Sequence, residues 1–456
     1  MKHLKTYQLF ESRIGLTKSQ ENFLNRYTKG TWTYNPATGL VDVKGGFDCS
    51  DRGLEDFKGV KFGKVSGDFG CSGNELTSLE GAPQEVDGDF GCSGNELTSL
   101  KGGPQKVGGD FSCSYNQLTS LKGAPQEVGG DFDCRYNELT SLAGAPQEVG
   151  GEFECSGNNL TSLAGRPQEV GGHFSCHNNN LTSLEGAPQN VSGDFNCLNN
   201  QLTSLKGAPQ KVSGDFRCQQ NQLTSLEGAP QEVGGEFGCS DNQLTSLAGA
   251  PQEVSGEFGC SDNQLTSLAG GPQKVDGDFD CGENKLTSLA GAPQEVGGEF
   301  GCSDNQLTSL VGAPQEVGGD FGCYNNQLTS LAGAPQKVDG DFDCGKNKLT
   351  SLAGAPQEVS GDFKCDAFEL EREEWNPKGW LRVLEEGSPE AQKLILILLP
   401  AEELNKEIAK DPAGMIMKLK DIWNDDGFRE TRAKLVWPKG YEEEADLVGD
   451  LDDVGF

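Results

Sequence analysis

The chain is poor in histidine and in positive charge. It contains only His3, His173 and His177, and its 37 Lys and Arg residues face 70 Asp and Glu, so the formal net charge is -33. No GxSxG, HExxH or P-loop motif occurs, and these are common signatures of hydrolases, zinc proteases and nucleotide-binding enzymes. We therefore expect no enzymatic activity. Because binding to a phosphate backbone depends on Lys and Arg displacing counterions, we also expect no nucleic-acid partner.

Long apolar runs are scarce as well. The run LILILL at 394–399 is too short to cross a bilayer, and the basic opening MKHLKTYQLFESRIG has no apolar core of secretory length. We therefore expect no membrane partner and no secretion by a signal peptide. The expected location is the cytoplasm of a host cell or a virion.

The chain does contain a regular repeat. All 16 cysteines occupy the same place in a unit of 21 residues, and the spacing from Cys71 to Cys365 never varies. A typical unit reads GDFGCSGNELTSLEGAPQEVD. A unit this short cannot bury its own apolar face, so the sequence predicts a solenoid in which successive coils stack and share one core.

Each position of the unit has an expected role. Alternating Phe69 and Cys71 indicate a short strand with both side chains inward. The asparagine at Asn74 recurs to Asn347, where its amide can bond the turn and the next coil. The residues assigned such structural roles include Asn74, Asn95, Asn116, Asn137, Cys71, Cys92 and Cys113. The cysteines are expected to be buried thiols, because Cβ atoms ~4.8 Å apart on parallel strands exceed the ~3.8 Å typical of a disulfide.

The motif F-x-C-x-x-N-x-L resembles the L-x-L-x-x-N-x-L strand motif of leucine-rich repeat proteins, from about Phe47 to Leu370. The resemblance implies a mainly β α/β solenoid, a horseshoe or superhelix with a parallel sheet on its concave face. The unit GDFxCSxNxLTSLxGAP and the MKHLKTYQLFES start are also similar to uncharacterised repeat proteins of tailed bacteriophages, which implies an origin but no activity. Some bacterial members carry a ubiquitin ligase with a cysteine beyond the repeats. No cysteine follows Cys365, so that activity is excluded.

The residue before each Phe forms what we call the acidic column. In the family fold it is expected on the concave face, where stacked like charges repel by roughly 1 kcal/mol per pair even at the dielectric of water. Two interpretations remain open: a solubilising face, or capture of a basic partner or of Ca²⁺ or Mg²⁺. No other cofactor or metal is expected. His173 interrupts the column, whose acidic members are Asp68, Asp89, Asp110, Asp131, Glu152, Asp194, Asp215, Glu236, Glu257, Asp278, Glu299, Asp320, Asp341 and Asp362.

Larger outward side chains are concentrated between Cys113 and Cys218. Aromatic and Arg side chains are typical of interface hot spots, so this patch is a candidate site for a protein partner; neutral drift after duplication is the alternative. A zinc site there is not expected, because His173 and His177 lie about 13 Å apart on one strand at ~3.3 Å per residue. The candidate residues are Tyr115, Arg135, Tyr136, His173, His177, Leu198, Arg217 and Gln219.

The two ends differ from the repeat, as the exposed ends of a solenoid require. We expect an N-terminal cap of a helix and a hairpin at 1–45, the repeats at 46–370, and a helical cap or domain at 371–440. ELEREEW and the Ser388-Pro389 and Asp411-Pro412 starts indicate successive helices. These helices could seal the last coil or dock a second protein. The acidic residues 441–456 are expected to be a flexible tail or a docking motif.

Three functions remain open at this point. The first is a recognition scaffold that binds another protein. The second is an acidic decoy that imitates the charge of DNA and occupies basic host proteins. The third is a structural component of a virion or an adhesive surface.

Overall fold

The computed structural model of the chain describes residues 15–371, 374–423, 425 and 428–441. The chain forms two compact units. The first comprises Met1–Leu223 and Glu227–Gly234, and the second comprises Thr224–Leu226 and Gly235–Phe456. Both are parallel β-solenoids, with about 15 turns in all. The phage-like start and the acidic tail fall almost entirely outside the described residues.

The first unit begins with a helix and a hairpin. Helix α1 (Lys18–Tyr27) starts at a capping box in which the Thr17 hydroxyl accepts the Gln20 amide and the Gln20 side chain bonds back to Thr17. Strands β1 (Thr28–Asn35) and β2 (Leu40–Asp48) pair antiparallel. The ring of Phe23 in α1 lies 5.5 Å from that of Phe47, which heads the first coil. The helix therefore covers the apolar end of the coils.

Each coil of the first unit contributes two very short strands. One begins at the repeated Phe and the other ends at the repeated Val, and each pairs in parallel with its counterpart in neighbouring coils. Strand β3 is Phe62–Val65. The Phe strands are β4 (Phe69–Gly70), β6 (Phe90–Gly91), β8 (Phe111–Ser112), β10 (Phe132–Asp133), β12 (Phe153–Glu154), β14 (Phe174–Ser175), β16 (Phe195–Asn196) and β18 (Phe216–Arg217). The Val strands are β5 (Glu85–Val86), β7 (Lys106–Val107), β9 (Glu127–Val128), β11 (Glu148–Val149), β13 (Glu169–Val170), β15 (Asn190–Val191), β17 (Lys211–Val212) and β19 (Glu232–Val233).

The second unit repeats this arrangement, again with parallel pairing within each set. Its Phe strands are β20 (Phe237–Gly238), β22 (Phe258–Gly259), β24 (Phe279–Asp280), β26 (Phe300–Gly301), β28 (Phe321–Gly322), β30 (Phe342–Asp343) and β32 (Phe363–Cys365). Its Val strands are β21 (Glu253–Val254), β23 (Lys274–Val275), β25 (Glu295–Val296), β27 (Glu316–Val317), β29 (Lys337–Val338) and β31 (Glu358–Val359).

A column of stacked phenylalanine rings runs through the core of each unit. In the first unit, the ring of Phe153 lies 5.5 Å from that of Phe132 and 5.4 Å from that of Phe174, and all three side chains are fully buried. The leucines of LTSL and the repeated Val complete the core. Since aromatic pairs at this separation attract beyond simple burial, the column also fixes the register of the coils.

The repeated asparagine joins two adjacent coils. The side-chain nitrogen of Asn179 donates to the carbonyls of Cys176 and His177 in its own turn and to that of Cys155 in the coil before, at 3.0–3.2 Å. Its oxygen accepts the amide of Leu160 at 3.0 Å. The side chain is buried. One amide thus satisfies backbone groups that a two-residue strand leaves unpaired.

The sheet of the second unit ends with a reversal. Strand β33 (Phe368–Leu370) pairs antiparallel with β32. The helix predicted over ELEREEW (369–375) is therefore wrong in its described residues, and the first helix of this region begins at Pro377. Phe368 replaces the repeated asparagine, and its ring stacks 5.9 Å from that of Phe363. The ring of Trp375 also stacks on that of Phe363, with centroids 4.0 Å apart, and its indole nitrogen donates to the Pro356 carbonyl. The packing of these apolar rings favours a strand here, and it outweighs the pattern of charged residues that predicted a helix.

Helices follow this reversal. They are α2 (Pro377–Glu386), α3 (Pro389–Leu396), α4 (Ala401–Lys410), α5 (Pro412–Leu419), the 3-10 turn Lys420–Ile422, and α6 (Arg429–Arg432). Ser388 and Asp411 cap α3 and α5, whose first residues are the expected prolines. The LILILL run lies across the end of α3 and is largely buried. In the described part of the chain, every helix is too short or too polar to cross a bilayer.

Candidate functional site

The solvent face of the Phe strands presents three columns of side chains. They are the acidic column before each Phe, a second column after Phe, and a third column after Cys, because the intervening Phe and Cys point inward. A fourth, the turn column, precedes each repeated asparagine in left-handed backbone conformation, as at Gly73 with φ +65°. These four columns form the surface that varies from coil to coil.

The acidic column has a structural role that the sequence analysis missed. The Oδ1 atom of most aspartates in the column accepts the backbone N–H of the next residue in the column. In the first unit, Asp110 accepts the amide of Asp131 at 2.8 Å, and Asp131 accepts that of Glu152 at 2.7 Å. The same bond forms from Asp68, Asp89, Asp194, Asp278, Asp320 and Asp341. Hydrogen bonds to ionised acceptors are the stronger kind, and they offset the repulsion between stacked carboxylates.

The glycine that precedes each residue of the acidic column makes room for this bond. A Cβ atom added to Gly151, which precedes Glu152, would lie 2.0 Å from the Oδ1 atom of Asp131. Glutamates in the column behave differently. Among the described residues, no bond joins the carboxylates of Glu152, Glu257 or Glu299 to the next backbone N–H. Burial, followed by neighbouring carboxylates, raises the pKa of Glu257 and of Glu299. Aspartate therefore supports the fold through a backbone hydrogen bond that these glutamates do not make.

This geometry separates the charge of the column from its hydrogen bond. Asp131→Asn keeps the Oδ1 acceptor and removes the charge, so we expect the free energy of unfolding to stay within about 0.5 kcal/mol of the wild type. Asp131→Ala leaves the Glu152 amide without its acceptor and should lose about 1 kcal/mol. Urea denaturation followed by circular dichroism measures both. Equal losses in the two variants would show that the charge, and not the bond, stabilises the column.

His173 belongs to the acidic column and not to the outer patch. Its Nδ1 atom accepts the backbone N–H of Asp194 at 2.7 Å, as an aspartate oxygen does elsewhere. The Oδ2 atom of Asp194 lies 3.2 Å from the same nitrogen. Because Nδ1 cannot accept the amide and donate to a carboxylate at once, we assign it the acceptor role on the shorter contact. We call this series of hydrogen bonds along the acidic column the aspartate ladder. His173 takes the place of an aspartate in it and accepts the same kind of backbone hydrogen bond.

Polar side chains gather in the second and third columns of the first unit. Ser175 Oγ lies 2.8 Å from His177 Nδ1, and Arg135 pairs with Asp133 at 3.1 Å. Burial, and then the Arg135 charge, lowers the pKa of His177. Burial also raises the pKa of Glu154. Both shifts have burial as their main cause, so these side chains are packed against their neighbours on this face.

The remaining patch residues lie further along the same face. Leu198 follows Cys197 in the third column and is half-buried. Arg217 is paired with Asp215, and its guanidinium also lies 3.6 Å from Asp194. Gln219 follows in the third column of the next coil. Of the eight residues in the predicted patch, five thus lie in the second and third columns, His173 lies in the acidic column, and two tyrosines lie in the turn column.

Tyr115 and Tyr136 are the most exposed part of the patch. Tyr115 is 59% exposed and Tyr136 is 43% exposed. Their rings stack with centroids 4.6 Å apart and planes 19° apart. Both residues have left-handed backbone conformation, with φ of 53° and 51°. Two adjacent coils therefore hold large aromatic rings in solvent.

The cysteines offer no reactive group on this surface. All sixteen are free thiols, and all but the partly exposed Cys365 are buried. Burial raises the pKa of Cys49 to about 12 and that of Cys71 well above its ordinary value. Since the thiolate is the reactive form, these cysteines are poor nucleophiles.

In the second unit, acidic residues occupy the turn-column position that Tyr115 and Tyr136 occupy in the first unit. Asp241, Asp262, Glu283 and Asp304 occupy successive coils. A hydrogen bond with Asp262, and then the charges of Asp262 and Asp304, raise the pKa of Glu283. Within the described residues, no three metal-ligating side chains of His, Cys, Asp or Glu come together as an ion would require. These four acidic residues, which we call the acidic ridge, are therefore a region of negative potential spread over several coils.

These features define a repeat protein of the parallel β-solenoid class with a variable outward face. No protein-family model and no curated protein matches the sequence. Among solved structures, YopM from Yersinia enterocolitica is 18% identical, covering 70% of this chain and 91% of its own, with a TM-score of 0.47. YopM from Yersinia pestis, a leucine-rich effector protein, is 20% identical over 71% of this chain and 88% of its own, with a TM-score of 0.45. The functional domain of InlJ from Listeria monocytogenes, which includes a cysteine ladder, is 17% identical over 62% and 68%, with a TM-score of 0.38. At these identities the likeness concerns the fold alone.

Proposed function

We propose that the protein recognises another protein through the outward face of its first unit, between Cys113 and Cys218. The observation that carries this proposal is the exposed ring pair Tyr115 and Tyr136, on the same outward face as Arg135, His177 and Leu198. Aromatic and Arg side chains supply most of the binding energy at protein interfaces. Elsewhere in the outward columns, small residues such as Gly70 and Ser72 are common.

The fold explains why such a patch can evolve without harming stability. The contacts that hold the coils together are made by the Phe, Cys, Asn and Leu columns, all of which point inward. Residues of the second, third and turn columns can change without touching this core. The similarity to phage repeat proteins supports a partner met in an infected bacterial cell, with the cytoplasm or the virion as the place of action.

Site-specific photo-crosslinking tests the proposal. A photo-crosslinking amino acid in place of Leu198 lies within the patch, whereas one in place of Gln210 lies in the same coil beside strand β17 and away from the Phe strands. We expect irradiation of cells producing each variant to give a covalent adduct with a defined protein from position 198 and none from position 210. The proposal fails if both positions give the same adducts or if neither gives any.

A second candidate function is the acidic decoy. It is favoured by the ridge of Asp241, Asp262, Glu283 and Asp304, which places negative charge on successive coils much as a nucleic acid does. Such binding involves many basic proteins and is screened by salt, because the Debye length shrinks to about 3 Å at 1 M. Adducts with numerous basic proteins that disappear in high salt would favour this function over specific recognition.

A further inference from the structure

The stacked pair Tyr115 and Tyr136 stands against the backbone preference of its own column. A residue with a side chain is strained in the left-handed conformation, and bulky residues are the least suited to it. The coils on either side of the pair place Gly94 and Gly157 at this position, whereas later coils hold Asn, Gln, Asp, Glu or Lys there with the same positive φ. Strained residues of this kind persist where function requires them. Two successive tyrosines are bulkier than the residues that the other coils place here, and this makes the pair a candidate for a functional role.

The stack is closed on one side and open on the other. A Cβ atom added to Gly157 would lie 2.7 Å from the ring of Tyr136, so that ring covers the next coil. The opposite face of the stack is the face of Tyr115 directed towards the coil of Gly94. A Cβ atom added to Gly94 would contact only the backbone of Gly73, at 3.7 Å. An aromatic face of Tyr115 is thus free to receive a planar group from outside.

The overall charge of the chain favours a cation. Glu96 and Glu138 are exposed and lie two residues after Gly94 and Tyr136. The guanidinium of Arg135, in the adjoining third column, is paired with Asp133. Over the described part of the chain, no Lys or Arg side chain lies above either ring. The rings are therefore available to a cation of another molecule, in a protein whose net charge is -33.

The second unit contains an internal precedent. Tyr324 lies in its third column, and the ammonium group of Lys346, one coil on, is 5.0 Å from the centre of its ring. The chain thus supplies its own cation to Tyr324 and leaves Tyr115 and Tyr136 without one.

We propose that the Tyr115–Tyr136 stack binds an arginine side chain in a basic segment of a partner protein, with the guanidinium against the free face of Tyr115. A guanidinium is planar and weakly hydrated, so it stacks on an aromatic ring better than the strongly hydrated ammonium of lysine does. The inference rests on the proposed function and specifies the chemistry that the partner presents to this surface.

Peptide binding by the full chain tests it. The probes are a labelled peptide of four arginines alternating with glycine, its lysine counterpart, and a phenylalanine counterpart, measured by fluorescence anisotropy at about 0.15 M salt, where the Debye length is about 8 Å. Tyr115→Gly with Tyr136→Gly introduces the residue that neighbouring coils already hold. This double variant should melt at or above the wild-type temperature, since glycine relieves the strain.

We expect the double variant to bind the arginine peptide about 10-fold more weakly than the wild type, a loss in the range of one or two cation–π contacts. The lysine peptide should change less than about 3-fold. The control Tyr324→Ser, at the position that already has its own cation, should leave arginine-peptide binding unchanged. Equal arginine affinities in the wild type and the double variant would overturn the inference, as would equal sensitivity of the lysine peptide or a tyrosine dependence of the phenylalanine peptide alone.

The two proposals can fail separately. Crosslinking from position 198 without any effect of the tyrosines on arginine binding would remove the arginine inference and leave protein recognition in place. Tyrosine-dependent arginine binding without a crosslinked protein would show that the stack is a cation site, and protein recognition by the patch would then fall.

Discussion

Asn179→Ala is expected to destabilise the first unit by about 3 kcal/mol. The substitution removes a buried amide that serves three carbonyls and one backbone N–H. Each buried polar group left unpaired costs about 1–3 kcal/mol. The His177 carbonyl is only partly buried, and the backbone can relax around the smaller side chain, so the sum should fall below four times that value. The change also affects two adjacent coils, because the bonds of Asn179 reach from Cys155 in the preceding coil to His177 in its own.

Hydrogen exchange provides a residue-specific measurement. A stacked array need not unfold in one step, so urea denaturation should be accompanied by the exchange rate of the Leu160 amide, which Asn179 accepts. We expect this amide to lose protection in Asn179→Ala. The matched control is Asn180→Ala, since Asn180 is partly exposed and its Oδ1 accepts only the side chain of Gln201. Unchanged protection of Leu160 would show that the asparagine column does not hold the coils together.

The stacking of coils and their inward residues could be predicted from the sequence because they depend on a fixed interval. Because the spacing of Cys71 and its counterparts is constant, neighbouring coils can align in only one register. The alternation of Phe69 with Cys71 shows which side chains of the strand point into the core. The parallel β-solenoid followed from these two facts. The ring-on-ring spacing of the Phe column is a direct consequence of the same register.

The Val strands could not be predicted in the same way. A strand of two residues such as Glu85–Val86 is too short to show alternation, and its partner lies one full coil away. The aspartate ladder was missed for a related reason, because the bond joins residues that are 21 positions apart and both look exposed. A signal was present nonetheless: a glycine precedes every residue of the acidic column, and the structure shows that this glycine leaves room for the aspartate oxygen.

The patch shows where sequence patterns stop being informative about function. The large residues between Cys113 and Cys218 were visible as departures from the repeat. Their separation into different columns, and the stacking of Tyr115 on Tyr136, depend on turn geometry that the sequence does not specify. His173 looked like a member of the patch because histidine is rare in the chain, yet its Nδ1 atom serves the backbone.

Phe153→Ala is expected to lower the free energy of unfolding by about 3–5 kcal/mol, the usual loss for a large aromatic side chain removed from a packed core. Phe153 is fully buried, and its ring contacts the rings of Phe132 and Phe174 on both sides. The neighbouring coils cannot move together to close the cavity. Hydrogen bonds from the asparagine and acidic columns hold the backbones of adjacent coils at a fixed distance from each other.

Phe153→Leu distinguishes stacking from simple burial. Leucine is the residue that leucine-rich repeats usually place here, and it fills most of the space, so burial alone predicts a loss of about 1.5 kcal/mol or less. If the two ring contacts contribute in their own right, each adds about 0.5–1.5 kcal/mol and the loss should exceed 2 kcal/mol. Urea denaturation of the wild type and both variants under one condition makes the comparison. A leucine variant as stable as the wild type would mean that the phenylalanine column is interchangeable with the leucine column it replaces, and that the asparagine and aspartate ladders alone set the register.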